Sequence, residues 1–385
     1  MIDLLSLGLA GVLAGALTGV TPGIHPNTVI FSSIPFYLSS GLELVSYAAF
    51  VSGISISHTF HDFIPSIYLQ APEASTALSS MPGAEKAAEG RGPEAFNATL
   101  LGGLVSVITV TLALPFLVVF LEDVYSLVQP LMAYLVAFFL FFLVFENFSL
   151  EAVVTAAVSG LLGILSLNSS LSGSFILMPV FSGLFAVPAV SSSLKRDFEL
   201  PEQEEGDFNG FRGSMTGMAA GLIAGTVPGV GAAGATTFLS PVMDDEYDFL
   251  AGMGGVNTTD IVVSFLALLT LDKSRSGASV ALKSLGNIMP YEMFTLIGLS
   301  VFCAGFSALL ALRTHKLFLR IVRSINFRLT GFSILLLLLI LSYVLSGWFG
   351  LVTLITASGI GFYSMINNCR ACCMAVLLIP VLVAL

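Results

Sequence analysis

Five ionisable side chains stand where the surrounding sequence is apolar: His25, His58, His61, Asp62 and Asp260. Such groups are costly inside lipid-soluble segments and mark ion or substrate pathways. Asp62 and Asp260 are expected to hold a coupling cation or accept protons, with His58, Asn257 and Thr258 beside them. His25 can titrate or hydrogen-bond a substrate. The expected coupling ion is Na⁺ or H⁺, and no organic cofactor or resident metal is required. His58-Thr-Phe-His61-Asp62 also admits an enzyme reading, because i, i+3 spacing puts two imidazoles on one helical face. The glutamate base of a metal-dependent hydrolase is absent, and the matching stretch of the second half, GVNTTDIVVS at 255–264, has no histidine. No catalytic residue is expected. For each histidine the plainer reading is a satisfied polar contact between helices.

Around these groups a glycine-proline phrase occurs twice. Residues 11–35 read GVLAGALTGVTPGIHPNTVIFSSIP and residues 217–241 read GMAAGLIAGTVPGVGAAGATTFLSP, with seven identities in 25 ungapped positions. A shift of 206 carries Gly15 to Gly221, Gly19 to Gly225, Pro22 to Pro228 and Gly23 to Gly229; a shift of 198 carries Asp62 to Asp260. Proline lacks an amide proton and clashes with the preceding turn, and glycine permits sharp redirection. A helix restarting after the break aims its positive end and unpaired amides into the lipid-embedded core, a cradle for an anion. Matching breaks in two halves are the best sequence pointer to a transporter's binding site. The expected substrate contacts are Thr21, Pro22, Gly23, His25, Asn27 and Thr28 in one half, and Pro228, Gly229, Gly231, Gly234, Thr236 and Thr237 in the other. The alternative is a pair of proline kinks with glycine packing.

The elements that position these residues are helices in a membrane. Of 385 residues, 56% are hydrophobic and 10% charged, against the roughly 25% charged usual in a soluble domain. Runs such as LMAYLVAFFLFFLVF at 131–145 are continuous, whereas a β-barrel would alternate apolar and polar residues. The net charge of −10 excludes the basic face that nucleic-acid binding needs. The first twenty residues lack a basic start and belong to the repeated unit, so no cleaved signal is expected. Spans or part-spans fall at 4–20, 27–39, 44–70, 96–121, 124–145, 152–168 and 171–190, then at 214–230, 233–243, 249–271, 292–312, 331–346, 348–366 and 371–385. Residues 1–190 and 214–385 form two transmembrane repeats, and 191–213 a polar linker. Arg313, Lys316, Arg320, Arg323 and Arg328 should face the cytoplasm, with Lys195, Arg196 and Arg212 of the linker. Counting spans from there puts 72–95 inside and 272–290 outside, although Lys273, Arg275 and Lys283 oppose the charge bias. The fold expected is an all-α polytopic membrane protein with two repeats of inverted topology and broken or re-entrant Gly/Pro helices. Cys369-Arg-Ala-Cys372-Cys373 reads as small apolar packing or lipidated cysteine, since no second CxxC pair accompanies it.

The phrases GVTPGIHPN at 19–27 and GTVPGVGAAGATTFLSP at 225–241 resemble the paired signatures of the TctA family, the large membrane subunit of tripartite tricarboxylate transporters. A loop after the first break supports the resemblance: Ala71-Pro72-Glu73-Ala74-Ser75, Pro82-Gly83-Ala84-Glu85-Lys86 and Gly90-Arg91-Gly92-Pro93 follow the family's order. The resemblance implies ion-driven carboxylate transport in the cytoplasmic membrane, beside a small membrane subunit and an extracytoplasmic binding protein. This chain is shorter than typical members, carries His25-Pro26 where small residues are usual, and has SHTFHD where a Gly-Gly run is expected.

No basic residue lies within either broken segment; Lys86 and Arg91 in the 72–95 loop are the nearest candidates. Helix ends and hydroxyls suit a monoanion or phosphate head group as well as a carboxylate. A polyprenyl-phosphate carrier is therefore the second reading, and a non-transporting membrane scaffold the third. Membrane lipids are partners in each reading. The sequence leaves the substrate and the oligomeric state open, a homodimer included.

Overall fold

The computed structural model describes residues 2–72, 76, 80–146, 149–169, 175–194, 200–243, 245–324 and 327–385. Glu73-Ala74-Ser75 of the family-like loop and Lys195 and Arg196 of the linker lie outside the described residues. Every regular element among those described is helical. The chain begins with α1 (Ile2–Val20), α2 (Pro26–Ser40), α3 (Leu44–His61), α4 (Phe63–Leu69), α5 (Ser80–Ala88) and α6 (Gly92–Leu112). It continues through α7 (Leu114–Val128), α8 (Met132–Glu146), α9 (Leu150–Leu167), α10 (Leu177–Phe181) and α11 (Val187–Ser193), with a π-helical turn at Ser182–Ala186. After the linker come α12 (Phe211–Thr226), α13 (Gly231–Leu239), α14 (Glu246–Leu271), α15 (Gly277–Leu285), α16 (Pro290–Ser324), α17 (Phe327–Ile366) and α18 (Ala375–Ala384).

Among the described residues seven segments are long and apolar enough to cross a bilayer: α1, α6, α7 with α8, α9, α14, α16 and α17. The chain is a multi-pass membrane protein. Two thirds (67%) of the α14 window is buried, against 22% in α7–α8 and in α17. Helix α14 is thus central, while Phe116, Tyr134 and Phe141 on α7–α8 and Leu336, Val344 and Val352 on α17 form an apolar outer surface suited to lipid.

Glycines set the packing of the core. Gly11 lies against Phe50, Gly53 and Ile54, Gly15 against Ile54, Ser57 and His58, and Gly19 against His58, His61 and Asp62. Residue numbers rise together, so α1 and α3 run parallel and α2 must return between them. The second half repeats this: Gly213 meets Asp248, Gly217 meets Gly252, Gly221 meets Thr259, and Gly225 meets Asp260 and Val263. Small residues four apart let two backbones approach without Cβ atoms between them. The Asp62/Asp260 equivalence read from sequence therefore recurs as a contact, each aspartate beside its own Gly19 or Gly225.

The central helices also exchange partners. Ser52 on α3 hydrogen-bonds Ser300 on α16 at 2.8 Å. On the reciprocal pair, Gly102 of α6 packs against Ala251 of α14. The shift of 198 carries Ser52 to Leu250 and Gly102 to Ser300, so the two crossings agree to within one residue. Helices α3 and α14 meet at Thr59 and Thr258, whose hydroxyls are 3.4 Å apart.

Two elements had no counterpart among the expected spans. The short helices α5 and α15, nine residues each, occupy equivalent places in the two halves. Helix α5 packs on the end of α4, Gly83 on Ile67, whereas α15 packs at the start of α3, Gly286 near Leu44. They lie at opposite ends of α3–α4. Linker residues clamp the α5 end: Gln203 donates to the Ala87 carbonyl at 2.8 Å and accepts from the Gly92 amide, and Glu205 pairs with Lys316 of α16 at 3.1 Å. The 72–95 loop, the linker and the basic end of α16 thus gather on one side.

The boundary expected near Glu122-Asp123 is displaced. Both residues lie inside α7, and the chain bends instead at Ala113, before Pro115, and at Gln129–Leu131, around Pro130. A missing amide proton interrupts a helix more firmly than two exposed charges do. All four cysteines are buried thiols; Cys369 meets the Thr155 hydroxyl at 3.2 Å, and Cys372 donates to the Leu143 carbonyl at 3.3 Å.

Candidate functional site

Each glycine-proline phrase interrupts a helix where the sequence places it. Helix α1 stops at Val20 and α12 at Thr226. Gly23 and Gly229 then take left-handed backbone angles, φ 86° and 81°, which side-chain-bearing residues adopt only under strain. Helix α2 restarts at Pro26, whose missing amide costs nothing in a first turn. His25 caps it, its Nδ1 accepting from the Asn27 amide at 3.2 Å.

A cavity of about 100 Å³ opens on this first break. Pro22, Gly23, His25, Asn27 and Thr28 form one wall. The opposite wall is Pro72 after α4, Phe175 before α10, and Leu177, Met178, Phe181, Ser182, Ala186 and Leu338 from α10, the π turn and α17. Polar groups thus line one side and hydrocarbon most of the other, and among the described residues the lining contains no lysine or arginine. Sequence reasoning did not find this second wall, because apolar residues look alike whether they face lipid, core or ligand. One local signal is the π turn itself, a distortion frequent at functional sites.

The remaining candidates are distributed around the cavity and away from it. The Thr21 hydroxyl donates to the Leu17 carbonyl at 2.8 Å and is outside the lining. In the second break Gly229 lies against Leu377 and Val381 of α18, and Gly231 near Met374. Pro228, Gly229, Gly231, Gly234, Thr236 and Thr237 contribute nothing to the cavity lining. Thr236 is buried and donates to Ala232, and Thr237 is buried beside it.

Behind the first wall, His25 and His58 hold their rings 5.4 Å apart. His58 Nδ1 is 3.0 Å from the Thr18 hydroxyl, and its Nε2 is 4.0 Å from Asp62 Oδ2. Asp62 forms the junction between α3 and α4. His61 turns elsewhere, donating from Nδ1 to the Ser57 carbonyl at 2.8 Å, so the two histidines of this motif do not converge. Thr18 belongs to this cluster and was missed, because a lone threonine among glycines gives no sequence signal. In the second half Asn257 is buried and neither atom of its amide has a hydrogen-bond partner among the described residues; Thr258 donates to the Gly254 carbonyl.

Lys86 and Arg91 are engaged elsewhere. Lys86 bridges Glu246 at 2.8 Å and Glu89 at 3.1 Å, and Arg91 bridges Glu94 at 2.7 Å. The Glu246 carboxylate holds Lys86 above its ordinary pKa, and Glu94 does the same for Arg91. Neither lines the cavity. A buried cation that the sequence reading passed over is Arg370, which donates to the Phe185 carbonyl of the π turn and lies over the Phe185 ring.

The profile of the tripartite tricarboxylate transporter TctA family matches residues 5–376. The chain is also 27% identical over 383 residues to an uncharacterized protein of Methanocaldococcus jannaschii, covering 96% of this chain and 95% of that one. No solved structure matches. A match over nearly the whole length, on a helical membrane fold that breaks twice at equivalent Pro-Gly turns, leads to one conclusion: this chain belongs to the TctA family of membrane transport proteins.

Proposed function

We propose that the chain is the membrane subunit of a secondary transporter for a small organic anion, driven by an ion gradient across the cytoplasmic membrane. The observation that supports this most is the cavity at the first Pro-Gly break, where the start of α2 meets a space of about 100 Å³. The positive end of the α2 dipole suits an anion there. The exchange of partners between α3–α16 and α14–α6, with α5 and α15 at opposite ends, supports two repeats of inverted topology. In alternating access such repeats take opposite roles. Pro228, Gly229, Gly231, Gly234, Thr236 and Thr237 are then the substrate contacts of the second conformation, in which α18 withdraws. Asp62 and Asp260 carry the coupling ion, with His58, Asn257 and Thr258. Family membership supports a small membrane subunit and an extracytoplasmic binding protein as partners.

The lining favours a second reading for the substrate. A citrate-like trianion needs cationic partners, and the described lining holds no lysine or arginine, whereas Phe175, Leu177, Met178, Phe181 and Leu338 suit a hydrocarbon chain. A polyprenyl phosphate is such an amphiphilic anion. In proteoliposomes, Thr28→Cys treated with a bulky thiol reagent should lose nearly all uptake of labelled citrate, or all translocation of polyprenyl phosphate, and regain it with reductant. The native cysteines are buried and need not be removed. Undiminished transport in both arms after complete modification would exclude the cavity as the pathway.

A further inference from the structure

We propose that the His58–Asp62 pair is a proton-binding site, and that its occupation is what admits an anion to the cavity. The inference rests on reading that cavity as the transport site.

The geometry defines the pair. The Thr18 hydroxyl lies 3.0 Å from both the Gly15 carbonyl and His58 Nδ1. It is a rotor with one proton, so it can donate to His58 Nδ1 or, turned to Gly15, accept from it. His58 can therefore take up a proton without losing this partner. Its Nε2 lies 4.0 Å from Asp62 Oδ2, and an added proton on the imidazole makes that approach a charge-assisted contact. Both groups are almost completely buried, with side chains 3% and 1% exposed, so the change of state occurs away from bulk water.

The second half has the aspartate without this apparatus. The two offsets carry His58 to Val256, Thr18 to Ala224 and His25 to Gly231, none of which can bind a proton, while Asp62 maps to Asp260. These three groups thus surround one of two equivalent carboxylates and not the other.

The groups facing His58 come from several elements. Helix α1 contributes Thr18, the start of α2 contributes His25, and α3 itself contributes His61 and Asp62. Helix α14 faces α3 through Thr258, and its Asp260 turns toward Gly225 instead. On α16, Ser300 faces Ser52, Cys303 packs by Gly8, and His315 bonds Tyr68 of α4. Helix α15 meets the far end of α3, and its Lys283 is held by Asp272 at 2.8 Å. Asp62 is therefore the acidic group positioned to share the proton.

His25 connects this pair to the substrate, because it lines the cavity and also packs its ring on His58. When the pair is empty, a negative charge lies behind the cavity wall and opposes an anion. When it is loaded, the pair is neutral overall and the opposition is gone. Proton and anion therefore bind with positive coupling, and each raises the other's affinity by the same factor.

Infrared difference spectra of the lipid-reconstituted protein during a pH titration read the site without any transport. The wild type should gain imidazolium bands as pH falls; His58→Gln should lose the share that belongs to the pair, Asp62→Asn should move that share to lower pH, and Asp260→Asn should leave it in place. An unchanged imidazolium profile in Asp62→Asn overturns the proposal. Should that variant fail to fold, Thr18→Val removes the Nδ1 partner and should alter the band's pH profile; an identical profile overturns it equally. Uptake of labelled citrate under a pH gradient separates the two readings: His58→Gln should abolish pH-driven uptake. No uptake in the wild type under either a pH or a Na⁺ gradient, with the band intact, removes citrate transport and leaves the proton site standing.

Discussion

At the scale of single residues, the glycines divide into those that hold the core together and those that do not. A Cβ on Gly254 would fall within the backbone of Thr99, and one on Gly102 within that of Ala251. Gly298 has nothing within 4 Å of the same position. Overpacking costs about 1–3 kcal/mol, and Gly→Ala in an open helical position gains about 1 kcal/mol of propensity. Gly254→Ala should thus lower the melting temperature of the detergent-solubilised protein, and Gly298→Ala should hold or raise it. Equal melting for the two would mean that α6 and α14 do not cross this closely. Sequence alone marks both as glycines in apolar helices, and only the neighbour across the interface tells them apart. The same applies to His25, whose candidacy was legible from its place after Pro22, while its capping of α2 depends on the turn geometry.

At the scale of elements, the broken helices were legible because proline and glycine act locally. Helices α5 and α15 were not, since nine amphipathic residues between spans read equally well as loop. Helix α5 is held by Lys86, whose contact with Glu246 on α14 and Glu89 raises its pKa. A lysine with a raised native pKa contributes stability that is complete below its ordinary value of 10.5 and is lost as pH climbs through the raised one. Exposed pairs of this kind contribute about 0.2–1 kcal/mol. Glu246→Gln should therefore speed hydrogen exchange in α5 by no more than about fivefold, and leave α6 unaffected. Exchange in α5 that does not change at all would show that the linker clamp through Gln203 holds the helix alone.

At the scale of the molecule, the arrangement of α5 and α15 bears on topology. Glu89 follows α5, beside the linker and the basic end of α16, and Lys283 lies on α15 at the other end of α3. With inverted repeats, Glu89→Cys and Lys283→Cys should react with a membrane-impermeant maleimide from opposite faces of oriented vesicles. Labelling of both from one face would rule out inversion.

Composition and apolar run length determined by themselves that the chain is helical and multi-pass, because a backbone in lipid must satisfy its own hydrogen bonds. The repeated phrase likewise determined where helices break, since the absence of an amide proton acts whatever the surroundings. Which break faces a cavity, what forms its far wall, and that Thr18 orients His58 were decided only by tertiary packing. Those outcomes depend on which distant helices meet, and apolar side chains carry no mark of the neighbour they will touch.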